Sequence, residues 1–289
     1  KRIFALFRQS AARELLKQRC ATYEHSGIPR LLHQTWSDAK QLPEEIRLSI
    51  ERLRKLNPEW SYKLYTDRDV ETFIGECYGP AILAAYRSIC PSYGAARADL
   101  FRYLCIYHYG GVYLDIKSTV DRPLAEIIRP DDQYLLAQWD QTPESPHRGW
   151  GVHSALAGIP NGEYQQWHVI ASPGHPFLRR TILKVLSNLQ HYWPRRKTTG
   201  QKGVLAMTGP IAYTLAIQPI LNQHAHRFLP PNSGLRYSIF EALGRHHKDC
   251  FPTHYSNMNT PVVCPRGLRR LASAYLSWRN LRRAQRRQS

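Results

Sequence analysis

Two carboxylates and two cations lie close together between residues 99 and 117. Asp99 and Arg102 stand at i and i+3, on one face of a predicted helix. "GGVYLDIK", residues 110 to 117, follows as a β-prone run that ends on Asp115 and, two places later, Lys117. A carboxylate at the end of a buried strand is costly unless a cation, a metal or hydrogen-bond donors meet it. Arg102 or Lys117 can be that partner, which makes the cluster a structural ion pair. The other reading is a hard divalent cation that bridges a phosphate-bearing ligand and keeps open coordination positions. Arginine presents a planar fork to phosphate or to paired sugar hydroxyls, and aspartate accepts from hydroxyls.

These residues need elements to hold them. "PSYGAARADLFRYLCIYHYGG" predicts a helix of about four turns with Gly110 as its left-handed C-cap, and "VYLDI" is the strand after it. Upstream, "GIPRLLHQTW" reads as a loop into a short strand at Leu31-Leu32. "LPEEIRLSIERLRKLNP" is a helix with acids in its first turn, "EWSYKLYTD" alternates like a half-buried strand, and two short helices follow before residue 90. Strand alternating with helix is the pattern of an α/β open sheet, in which ligands bind beyond the carboxyl ends of the strands. Asp115 sits at such an end. Downstream, "QYLLAQW" is a strand, "HPFLRRTILKVLSNLQHYW" a helix, and "TGPIAYTLAIQPIL" a helix begun by Thr208. One domain is expected from 28 to 263, its two halves sharing a cleft.

The chain has 289 residues and a net charge of +18, a value that invites a nucleic-acid partner. The charge is concentrated at the ends. Residues 1–20 hold six basic side chains against Glu14, and residues 264–289 hold eight arginines and no acid. Both ends, 1–27 and 264–289, read as basic amphipathic segments, suited to an anionic membrane surface or to packing on the domain. The middle has ordinary composition, which argues against a broad nucleic-acid face. No apolar stretch is read as approaching the roughly 20 residues that span a bilayer. The sequence opens on Lys1 rather than Met, which leaves room for an upstream anchor. Six scattered cysteines without zinc-ligand spacing, and no usable glycosylation sequon, point to free thiols in the cytoplasm, peripheral to the inner face of a membrane.

"AARADLFRYLCIYHYGGVYLDIK" resembles the core of glycosyltransferase family 32, the sugar-binding region with the DXD motif. "IPRLLHQTW" is similar to that family's first strand, and "TGP" at 208–210 matches a recurring element. The resemblance implies a GT-A-like, mostly parallel open sheet flanked by helices, and a retaining transferase that uses a nucleotide-diphosphate sugar. It implies that His33, Gln34 and Trp36 lie near the nucleotide, with Trp36 as a stacking surface, and that Gly110, Gly111 and Tyr113 belong to the same binding region. Asp99 and Arg102 would hold the donor sugar and its phosphate, and Asp115 would meet Mn²⁺ or Mg²⁺. The sequence departs from the motif at Lys117, where a second acid is expected. Three substitutes offer themselves: His254 (or, less well placed, His247) completes the metal site with Asp115; Asp121 is the missing acid; or Lys117 itself supplies positive charge to the leaving diphosphate.

The expected acceptor is a glycan or a lipid-linked glycan, and "WDQTPESPHRGWG", 139–151, is a candidate acceptor-side lid. Tyr103, Tyr107, Tyr109 and Tyr113 read as core and cleft lining. Two other functions compete. One is a basic membrane- or nucleic-acid-binding module with a structural Asp/Lys cluster. The other is a glycoside hydrolase, with Asp99 and Asp115 as its carboxyl pair.

Overall fold

In the computed structural model of the chain, residues 27–194, 198–241, 244–245 and 258–264 are described. The two basic ends, and with them the segments expected at 1–27 and 264–289, lie outside the described residues apart from Gly27 and Cys264.

Strand β1 (Leu31–Thr35) leads to helix α1 (Glu44–Leu56), strand β2 (Ser61–Tyr65) and helix α2 (Asp67–Ser88). Helix α1 opens on two acids, closes on two bases, and buries Ile46, Ile50 and Leu53 at helical spacing. A reciprocal capping box between Thr66 and Asp69 starts α2. Gly79, at φ 78°, breaks α2 in front of Pro80, so the two short helices read from the sequence are two arms of one kinked element.

Helix α3 (Gly94–Tyr109) is buried nearly all round and runs straight into strand β3 (Gly111–Leu114). The two glycines between them do different work. Gly110 terminates the helix at φ 67°. Gly111 lets β3 lie against β1: a Cβ there would stand 2.4 Å from the Leu31 carbonyl oxygen. From β3, Val112 and Leu114 enter one core cluster and Tyr113 the other, as the two-residue period of a strand requires.

After β3 come β4 (Thr119–Val120), the short α4 (Leu124–Ile127), β5 (Tyr134–Leu136), β6 (His168–Ala171), α5 (Pro176–Gln190), α6 (Gly200–Met207), α7 (Pro210–Ile217), β7 (Arg227–Phe228) and β8 (Leu235–Arg236). Six strands form the main sheet in the order β2-β1-β3-β6-β5-β7, and β4 pairs with β8 apart from it. The sheet is the expected α/β open sheet flanked by helices. It is parallel at β1·β2, β1·β3 and β5·β7 and antiparallel on both sides of β6. Helices α2, α3, α5 and α7 cover one face with a single aromatic-rich core, in which Tyr103 stacks on Tyr213 at 5.6 Å and Tyr134 and Tyr213 share a hydrogen bond of 2.6 Å.

Two expectations are corrected. Cys90 and Cys264 are not free thiols but form a disulfide, with Cα atoms 4.9 Å apart. The bond ties the segment 258–264 to the end of α2, where Ile89 bridges Val263. A separation of 174 residues hides this pairing from any spacing rule. Gly200–Gln223 is also long and apolar enough to cross a membrane, against the sequence reading. It is folded instead as α6, α7 and a 3₁₀ turn, mostly buried on the core, so its apolarity has a packing explanation.

Candidate functional site

A cavity of about 850 Å³ opens beyond the carboxyl ends of β1 and β3. Trp36, Arg97, Asp115, Lys117, Trp150 and His153 mark its perimeter. In its lining the four residues singled out by type and spacing meet. Arg102 Nη2 lies 3.1 Å from Asp99 Oδ1 and 2.9 Å from Asp115 Oδ1, and Lys117 Nζ lies 2.7 Å from Asp115 Oδ2. One helix, one glycine turn and one strand build this network, with α3 supplying Asp99 and Arg102 and the end of β3 aiming Asp115.

Arg102 is held from several sides. Its Nε donates to the Ala98 carbonyl (3.2 Å), its Nη1 to the Gln166 carbonyl (2.6 Å), and its guanidinium carbon stands 4.8 Å from the Tyr113 ring centroid. Burial works against its charge, but the carboxylates of Asp115 and Asp99 outweigh that and hold its pKa above the ordinary arginine value. Asp99 is buried beneath it and accepts from Gln166 Nε2 (3.0 Å) and the Thr208 hydroxyl (2.8 Å). Burial pushes the Asp99 carboxyl up, while Arg102 and these two donors pull it back. Thr208, read as a helix start, thus has a second use: its hydroxyl caps Asp99, while its carbonyl accepts from Tyr103.

The remaining candidates divide by strand geometry. Tyr113 lines the cavity and its hydroxyl points to Asp115 Oδ1 at 3.5 Å. Trp36, half-buried at the rim, does reach the cavity, together with Thr35 and Ser37. His33 and Gln34 do not line it. His33 is buried against Tyr65 and Tyr109, its Nδ1 3.2 Å from the Tyr65 hydroxyl, and burial lowers its pKa to about 4. Gln34 donates to the Asp115 carbonyl at 3.1 Å and accepts from Tyr62, so it props the strand end from behind. Gly110 and Gly111 likewise shape the turn without facing the cavity. Asp121 pairs with Arg236 on the β4·β8 edge, away from the cavity, and is not the missing acid.

The opposite wall was only partly legible. Trp139 and Trp150 of the 139–151 loop meet edge to face at 5.1 Å, and Tyr237 packs on both. Trp139 is buried and donates from Nε1 to Glu163 Oε1 at 2.9 Å, so this end of the loop is a fixed wall. Glu163 Oε2 also lies 2.7 Å from His153 Nε2. Glu163, His153 and Tyr237 carried no spacing signal, because the fold brings Tyr237, which follows β8, against the β5–β6 connection that holds His153 and Glu163. Asp99 and Asp115 share one guanidinium nitrogen and so sit side by side, whereas a hydrolase pair faces across the sugar.

The divalent cation implied by the resemblance does not fit the described residues. Both Asp115 oxygens carry cationic partners, the place of the second acid holds an ammonium, and no group of three His, Cys, Asp or Glu side chains among the described residues could hold a metal. His254 and His247 lie outside the described residues.

Residues 43–135 match the family described as "Glycosyltransferase sugar-binding region containing DXD motif". The chain is 29% identical over 170 residues to inositol phosphoceramide mannosyltransferase 3 of Schizosaccharomyces pombe, covering 58% of this chain and 39% of that one. It is 29% identical over 184 residues to mannosyl phosphorylinositol ceramide synthase CSH1 of Saccharomyces cerevisiae, covering 64% and 41%. With the initiation-specific alpha-1,6-mannosyltransferase of Candida albicans the identity is 26% over 195 residues, covering 63% and 49%. The match therefore spans less than half the length of each of these relatives. Among solved structures, the ligand-free glycosyltransferase domain from the YGT toxin overlays with a TM-score of 0.48 at 9% identity, covering 75% of this chain and 83% of that one.

Proposed function

We propose that this chain, which over residues 43–135 matches the glycosyltransferase family with the DXD-bearing sugar-binding region, is a retaining enzyme that moves a hexose from a nucleotide-diphosphate sugar to a glycan or lipid-linked acceptor. The observation that carries the reading is a carboxylate, Asp115, gripped between Arg102 and Lys117 and open to a cavity of about 850 Å³, a size suited to an extended ligand. A merely structural Asp/Lys cluster accounts for the ion pairs but not for their opening onto a cavity, so the basic-module alternative is not favoured. Mannose is the sugar to test first, because the relatives are named as mannosyltransferases.

Breaking the anomeric bond builds negative charge on the departing diphosphate and positive charge on the sugar. Fixed cations near the first and carboxylates near the second lower the barrier without reorganisation. In this reading Trp36 borders the base, Asp99 and Arg102 keep Asp115 oriented, and the Trp139–Trp150–Tyr237 wall receives the acceptor. The Glu163–His153 pair offers that acceptor hydrogen-bonding groups.

The test is a donor panel with the purified chain. GDP-mannose and the common UDP-hexoses are assayed for transfer or slow hydrolysis, with thermal shift by GDP and UDP alongside. One donor is expected to turn over, and Asp115→Asn to lower that rate about 100-fold or more. A variant as active as the parent sinks this assignment. Oligonucleotide binding with steep salt dependence, and no response to nucleotides, sinks the reading altogether.

Location is a further part of the proposal. The sequence reading favours the cytoplasm beside an anionic membrane, whereas the Cys90–Cys264 bond is chemistry of an oxidising compartment. We favour the latter. Alkylating the thiols of freshly lysed native cells is expected to leave Cys90 and Cys264 unmodified, and their labelling returns the chain to the cytoplasm.

A further inference from the structure

Lys117 stands where the motif has its second acid, and its surroundings are built for a cation. It is 8% exposed, with Asp115 Oδ2 at 2.7 Å on one side and the Tyr237 ring centroid at 4.3 Å on another. A carboxylate and a π face are both partners an ammonium seeks. An ammonium has three donors, so a hydrogen bond to Asp115 leaves others for a ligand. Lys117 and Asp115 both line the cavity, as does Ile116 between them.

We propose that Lys117 replaces the divalent cation: its ammonium binds the donor's diphosphate, and the transfer proceeds without a metal. This inference rests on the nucleotide-diphosphate-sugar reading above. Asp115 changes role accordingly. It does not ligate an ion but orients the ammonium, while Arg102 fixes Asp115 from the other oxygen and is a positioning residue. During transfer the bond between the anomeric carbon and the diphosphate oxygen breaks, and its electron pair stays on the diphosphate, where Lys117 meets the new charge. The acceptor hydroxyl oxygen bonds to the anomeric carbon on the same face, and its proton passes to the departing diphosphate, so no further reactant is needed. A divalent ion set on Asp115 would face Lys117 at contact distance, and like charges so close repel.

The two arrangements differ in what a chelator does. Calorimetric titration of the full chain with GDP and with UDP, in EDTA and then in Mn²⁺, is the test. One nucleotide is expected to bind with the same affinity in both. Lys117→Met is expected to weaken it about 10-fold or more, the loss of one charge-assisted contact, with no recovery in Mn²⁺. Lys117→Arg should retain most of the affinity. Lys117→Asp, which restores the second acid, should bind poorly in EDTA and recover in Mn²⁺. Thermal melts of each variant establish that it is folded. Parent binding that appears only with Mn²⁺, or a folded Lys117→Met chain that binds as tightly as the parent, overturns the proposal while leaving the donor reading intact. Failure of the parent to bind either nucleotide under both conditions overturns the donor reading and this inference with it.

Discussion

Arg102→Met is expected to cost about 3–5 kcal/mol of folding stability, the usual cost of breaking a buried ion pair from one side. Methionine fills much of the same volume, so the loss is electrostatic rather than a cavity effect. Asp115 keeps Lys117 as a partner, but Asp99, with a side chain only 3% exposed, keeps only the Thr208 and Gln166 donors. Urea denaturation at neutral pH measures the effect. Adding Asp99→Asn to Arg102→Met removes the orphaned charge and should recover a large part of the loss, because an asparagine oxygen can still accept from Thr208 or Gln166. A single-variant loss below about 1 kcal/mol would mean that solvent reaches Asp99 far more freely than its burial implies.

Acid should destabilise the chain well before its carboxylates titrate. His33, His168 and His175 are buried, and burial is the first cause of their lowered pKa values, about 4, 3 and 3. Neighbours adjust each one: Asp115 pulls His168 up, the Ala225 carbonyl does the same for His175, and for His33 the Gly110 backbone pulls up while Lys63 pushes down. In the unfolded chain each imidazole takes a proton near pH 6.5. The unfolded state therefore binds more protons between about pH 6.5 and 4, and stability falls as pH falls through that window, being fully present above it. Each histidine contributes a slope of about 1.4 kcal/mol per pH unit at most, and three together about 4. Neither ring nitrogen of His168 has a hydrogen-bond partner, so His168→Phe forfeits no hydrogen bond at pH 7.5. That variant is expected to flatten the stability curve between pH 5 and 6 by about one histidine's share. An unchanged slope would show that His168 protonates in place.

The elements read correctly from sequence are those whose signal is local. Helix α1 shows its acids, its buried stripe and its closing Asn57-Pro58 within seventeen residues, and α3 with Gly110 and β3 is just as self-contained. The cluster of Asp99, Arg102, Asp115 and Lys117 was legible for the same reason. Strand β6 was not: His168–Ala171 is four residues long and buried on both faces, so it has no alternation to read. Thr208 reaches Asp99 across 109 residues and Gln166 across 67, distances at which sequence spacing says nothing. His33 and Gln34 do not line the cavity because it lies past the end of β1 rather than along it. Only Thr35 and the residues after it project there.

Because α3 passes into β3 through a single turn, the cluster of Asp99, Arg102, Asp115 and Lys117 behaves as one rigid casting. Shifting Asp99 or Arg102 drags Asp115 with it, and β3 is pinned between β1 and β6. Descendants of such a chain have little freedom to retune the cluster by small steps. Changes in what the cavity admits must arise on the far wall, where Trp139, Trp150, His153 and Tyr237 come from loops that can lengthen or exchange residues without disturbing the sheet.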